Sequence, residues 1–162
     1  LLTNLPPLIW VHLLATVVAL PLGLQQLLGA KGTPGHRRAG LIYIVVMLVA
    51  LLSALATFRR DTPFLPFHIL ALVGLVSLIR GMAALRRWLT MRDAAALRVH
   101  KIAMGYSWLG LTMAGVSQFA SNPRFGIAQQ MTTTEFWLVL LGLNLAMYAL
   151  GSLWIFRSLV RS

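Results

Sequence analysis

Four histidines carry whatever chemistry this sequence holds, because little else in it does. His12, His36, His68 and His100 each stand at one end of a long apolar run. His12 and His68 open the first and third runs, while His36 and His100 open the second and fourth after basic turns. A chain that crosses a membrane repeatedly would therefore put His12 and His68 near one face and His36 and His100 near the other. Imidazole binds iron, copper and zinc. Two imidazoles per layer, facing each other across a bundle, match a haem iron held from both sides. In that arrangement neutral Nε2 would bind iron while Nδ1–H donates to a backbone carbonyl one turn back. Residues His12, His68, His36 and His100 are the expected metal ligands. Arg59 and Arg60 beside the first pair, and Arg37, Arg38 and Lys101 beside the second, are the expected partners of haem carboxylates.

The remaining side chains offer less. The three carboxylates, Asp61, Asp93 and Glu135, lie in loops or at a helix end. That argues against a proton pump or paired acid–base catalysis. Serines in the apolar runs have no base nearby, which argues against a hydrolase. There is no cysteine, so disulfides, thiolate metal sites and covalently attached haem are excluded within the chain. Tyr43, Tyr106, Gln118 and Asn144 would contact a quinone or pocket water, or else hydrogen-bond between helices.

The elements that must position the histidines follow from composition. Of 162 residues, 59% are hydrophobic and 10% charged, with a mean hydropathy of +0.81. A soluble domain would carry about 25% charged residues. No charge occurs in 1–30, 39–58, 62–79, 102–123 or 136–156. Each run approaches the ~20 residues that cross ~30 Å of hydrocarbon. The expectation is one integral membrane domain over 1–162, all α, with five transmembrane helices near 7–28, 39–58, 67–86, 101–121 and 135–156. Four would form a core bundle, and the fifth, without a histidine, would sit peripherally and offer a surface for association. Thr134-Glu135 reads as its start, and the third helix is expected to extend past the membrane through the basic segment 80–101. On the first helix, Ala15, Thr16, Ala19 and Gly23 share the His12 face, a stripe of small residues that would leave room for something flat and wide.

The formal charge of +11 would suggest nucleic acid in a soluble protein. Here the basic residues lie between the runs, where they set orientation instead. With the N-terminus outside, eleven Lys and Arg fall inside and three outside, which gives N-out and C-in. The apolar N-terminal run has no basic leader and is too long for a signal peptide.

Four stretches also carry a resemblance: Val11-His12-Leu13, Lys31-Gly32-Thr33-Pro34-Gly35-His36-Arg37-Arg38-Ala39-Gly40-Leu41-Ile42-Tyr43, Phe67-His68-Ile69-Leu70-Ala71-Leu72 and His100-Lys101-Ile102-Ala103-Met104-Gly105-Tyr106. Over about residues 8–120 the chain resembles a family of small bacterial membrane proteins catalogued as domain of unknown function 2306. That resemblance implies a membrane fold and no activity. The family carries an arginine shortly before the last tyrosine, where this chain has Gly105. In architecture the chain is also similar to the transmembrane di-haem cytochromes b, which place one haem at each face of a four-helix core. The resulting expectation is a di-haem b-type cytochrome of the bacterial inner membrane, relaying electrons between a donor and an acceptor, a quinone among the candidates. The rival readings are a non-catalytic membrane subunit or scaffold, and a histidine-based metal-handling protein.

Overall fold

The computed structural model describes residues 6–57, 66–121 and 127–160, and every regular element among them is helical. Five α-helices follow in order: α1 (Pro7–Leu28), α2 (Pro34–Ala56), α3 (Pro66–Met91), α4 (Ala94–Ala120) and α5 (Thr133–Ile155). A 3₁₀ turn at Ile127–Gln130 precedes α5, and a π turn at Phe156–Val160 continues it.

Local chemistry sets most of the helix ends. Pro7 occupies the first turn of α1, where a missing N–H is tolerated. Lys31 closes that helix by donating from Nζ to the carbonyls of Gln26, Leu27 and Gly29 at 2.7, 2.6 and 2.9 Å. A cation there meets the negative end of the helix dipole. Gly32 turns the chain with φ of 76°, a region that suits glycine. Thr33 then caps α2, its hydroxyl accepting from the His36 N–H at 3.1 Å. Two residues join α3 to α4. Arg92 takes φ of 56° and lays its guanidinium 5.6 Å from the Trp88 ring centre, and Asp93 accepts from the Ala95 and Ala96 N–H groups. The left-handed conformation costs an arginine about 1–2 kcal/mol, which the cation–π contact and the cap offset. Helix α5 begins earlier than Thr134-Glu135 suggested. Its cap is Thr132, in a reciprocal capping box with Glu135.

Helices α1 to α4 close into a ring. Each packs on its sequence neighbour, and α1 packs on α4, so α1 faces α3 and α2 faces α4 diagonally. Helix α5 packs on α4 from outside. The core is Ala19, Tyr43, Met47, Leu51, Ala71, Leu78 and Leu111. Leu14, Val17, Leu41, Val76 and Leu138 are more than 60% exposed, as side chains solvated by lipid would be. Glycines set the closest approaches: a Cβ at Gly74 would meet Leu51, one at Gly81 would meet Met104, and one at Gly151 would meet Leu109. Such seams are how membrane helices gain packing energy in a solvent as apolar as leucine.

Among the described residues four helices are long and apolar enough to cross a membrane: α1, α2, α3 from His68 on, and α5. Helix α4 has the length, at 27 residues, but is more polar. The difference has a structural reason. Helix α4 contacts α1, α3 and α5, and it carries Tyr106, Ser107, Trp108, Thr112 and Ser117, whose polar atoms bond inside the bundle. The third helix enters the basic segment 80–101 as far as Met91; the rest of that segment is the Arg92-Asp93 turn and the first turns of α4, which begins at Ala94 and not near 101 because Asp93 caps it there.

The space beside α1 is filled. Ala19 is fully buried, and a Cβ added at Gly23 would press into the Trp108 ring and lie 2.8 Å from the Tyr43 ring. The Trp108 indole N–H donates to the Leu20 carbonyl at 2.9 Å. At its Gly23 end the small-residue stripe is therefore a seat for Trp108 and not open room. Gly23→Ala should destabilise the detergent-purified protein by about 1–3 kcal/mol through overpacking. Gly110→Ala, where an added Cβ meets nothing within 4 Å, should be neutral or stabilising by up to about 1 kcal/mol. Thermal unfolding midpoints of the two variants check this, and equal losses would contradict the packing assignment.

Candidate functional site in two histidine layers

Each histidine sits where its helix meets a neighbour near one end of the bundle. His12, on α1, is half-buried, and its Nδ1 lies 2.9 Å from the Ala50 carbonyl and 3.2 Å from the Ser53 hydroxyl oxygen, both on α2. A carbonyl only accepts, so in the neutral ring Nδ1 carries the proton and Nε2 holds the lone pair. The Ser53 hydroxyl donates to the Val49 carbonyl at 2.6 Å, which leaves its oxygen free to accept from the imidazole. His68, on α3, is 7% exposed, one turn before the buried Ala71. Its helix and that of His12 stand diagonally across the ring.

The other end is built in parallel. His100, half-buried on α4, has Nδ1 2.9 Å from the Gly81 carbonyl of α3. The ring is again fixed with Nδ1 as donor and Nε2 as the lone-pair nitrogen. His36 follows the Thr33 cap in the first turn of α2, diagonal to α4. It lies within electrostatic range of His100 and of Lys31. Thus the second pair shares one end of the bundle.

In both fixed imidazoles the accepting carbonyl belongs to the neighbouring helix, not to the preceding turn of the histidine's own helix as the sequence suggested. Within a helix the carbonyl one turn back already serves the ladder, and the side chain projects outward toward the adjacent helix. The two anchors also measure the spacing of the layers. From His36 to Ala50, which holds His12, α2 advances 14 positions, and from His68 to Gly81, which holds His100, α3 advances 13. At 1.5 Å per residue both give about 20 Å. Between the layers lies the core plug of Tyr43, Met47, Leu78 and Leu111, with the Tyr43 hydroxyl 2.9 Å from that of Ser107.

The flanking cations divide by position. Lys101 follows His100 and interacts electrostatically with Lys31. Arg37 and Arg38 are exposed beside His36. Arg59 and Arg60 lie outside the described residues. Tyr43, Tyr106 and Asn144 make interhelical bonds, to Ser107, Ser152 and Ser117 respectively, while Gln118 is exposed. Ala50 and Gly81 are not legible as site residues, because a backbone anchor has no sequence signature. Among the described residues no three of the His, Asp and Glu side chains converge on one point.

A family model described as "Predicted membrane protein (DUF2306)" matches residues 9–155, and the chain belongs to that family. The match extends past the stretches that first carried the resemblance and takes in α5. No curated protein and no solved structure matches the chain.

Partial burial and the nearby Lys101 both lower the Lys31 pKa from its ordinary 10.5. The folded state then binds this proton less tightly than the unfolded state, so stability rises as pH climbs through the lowered pKa toward 10.5. Lys101→Gln removes one source of repulsion. It should raise the unfolding midpoint at neutral pH, with the gain shrinking as Lys31 loses its proton. A gain that stays constant up to about pH 11, where lysine is mostly neutral, would contradict the coupling.

Proposed function

We propose that this family member is a membrane cytochrome of b type, holding one haem between His12 and His68 and another between His36 and His100. The observation that carries the reading is the fixing of His12 and His100 through Nδ1 by carbonyls of adjacent helices. Hydrogen bonds of this kind set tautomer and ring direction in metal-ligating histidines and raise the basicity of Nε2. The donor set fits the group. A bare zinc ion needs four protein donors in a structural site, whereas a haem brings its own four nitrogens and asks the protein for one or two axial ligands.

Haem when bound supplies one-electron chemistry, and everything else would fall to the chain's residues. His12 and His68 would define the site at one end, and His36 and His100 the site at the other. Arg37, Arg38 and Lys101 would neutralise the carboxylates of the group at the basic end, and Arg59 and Arg60 those at the opposite end. Tyr43, Met47, Leu78 and Leu111 would keep water from the space between. In the bacterial inner membrane, with five spans, N-terminus out and C-terminus in, the two sites would form an electron relay from one face to the other.

The test is the haem content of protein purified in detergent after haem-supplemented expression. A dithionite-reduced minus oxidised spectrum should show b-type bands, and a pyridine haemochrome count should give two haems per chain. His12→Ala or His68→Ala should remove about half, and His36→Ala or His100→Ala the other half, one site per layer. A colourless wild type, or full haem retention in a variant lacking all four histidines, overturns the reading.

A further inference from the structure

A lateral groove of about 310 Å³ lies between α3, α4 and α5. Leu70, Val73 and Ser77 of α3 form one wall, and Gly110 of α4 and Tyr148 of α5 lie opposite. Its lining is apolar and it opens sideways, so whatever enters comes from the lipid. The α3 wall steps at +3 and +4 along one helix face, and the next positions on that face are Arg80 at +3 and Gly81 at +4 from Ser77.

Arg80 is exposed, and its exposed neighbours include Val76 and Ile79. It lies 12 residues past His68, about 18 Å along α3, and about 16 Å short of Met91. This places its Cα inside the span on the side of the basic end, where an unpaired guanidinium costs about 2.5 kcal/mol or more at full depth unless it reaches an anion or water. The chain supplies little to pair with it. Asp93, the only acidic residue in 80–101, is bound by Arg87 at 2.8 Å and by the α4 N-terminus. Glu135 closes the capping box at the start of α5, and Asp61 lies outside the described residues, ahead of α3.

A groove for an acyl chain and a cation one turn beyond it, toward the basic end, ask for both parts in one molecule. We propose that the groove takes an acyl chain of an anionic phospholipid whose phosphate pairs with Arg80. Charge complementarity selects the headgroup, and the glycine-floored wall selects the chain. The site is independent of the histidines.

Native mass spectrometry of the delipidated full chain, given phosphatidylglycerol and phosphatidylcholine in equal amounts, tests this. Wild type should retain phosphatidylglycerol with about fivefold preference, the effect of one basic residue at an anionic headgroup. Arg80→Gln should abolish the preference, and Arg157→Gln, on the π turn after α5, should leave it intact. Gly110→Leu, which fills the groove where an added Cβ meets nothing, should reduce retention of both lipids. A preference that survives Arg80→Gln overturns the proposal, as does undiminished retention in Gly110→Leu. Displacement of phosphatidylglycerol by soluble glycerol phosphate would reveal a site for free anions and overturn it equally.

Discussion

The hydrogen bond from the His100 imidazole to the Gly81 carbonyl crosses the seam between α3 and α4, the two helices in most extensive contact. It requires α3 and α4 to approach until a Cβ at residue 81 would press on Met104. The two-residue turn at Arg92-Asp93 makes that approach possible by returning the chain directly along α3. His12 repeats the arrangement at the other end, where α1 lies against α2 and its imidazole reaches the Ala50 carbonyl. A side chain that must present one nitrogen in hydrocarbon gains a fixed direction when the other nitrogen is bonded to backbone. The Arg92-Asp93 turn and the close approach at Gly81 place one of those carbonyls.

This constraint explains where the polar atoms of the bundle go. Helix α4 is less apolar than the four candidate spans because it is central, and its hydroxyl and indole groups bond to α1, α2 and α5. Tyr43 and Ser107 join diagonal helices midway between the histidine layers; Ser107 also donates to the Met104 carbonyl, so sliding the ring would leave the buried Tyr43 hydroxyl unmet. Trp108 fills the gap that the small residues of α1 leave. Helix α5 is held on the outside by Asn144, Ser152 and the close contact at Gly151. Its other face is broadly apolar, with Leu138, Leu141, Leu145 and Leu150 exposed.

Much of this was legible in the sequence, and the illegible part has one cause. The helices follow from uncharged runs and caps: α1 falls at Pro7–Leu28, where the pattern puts it. The buried face of α2, Tyr43, Met47 and Ala50, follows from helical periodicity counted from His36. The start of α5 was also present, as Thr132 three positions before Glu135, though the neighbouring Thr134 obscured it. What periodicity does not carry is the identity of a partner on another helix. A backbone carbonyl is the same at every position, so Gly81 and Ala50 give no sign that they receive an imidazole. The stripe Ala15-Thr16-Ala19-Gly23 showed that something large lies beside α1, but Trp108, some 85 positions later, becomes its occupant only in three dimensions.

The central claim is that imidazole pairs from diagonal helices are axial ligands, and the electron paramagnetic resonance spectrum of the oxidised, detergent-purified protein at low temperature addresses it most directly. Ligation by two histidines predicts low-spin ferric signals alone, with His68→Ala removing one component while the other persists. A high-spin spectrum from the unmodified protein, or a spectrum with no haem signal, would contradict the account.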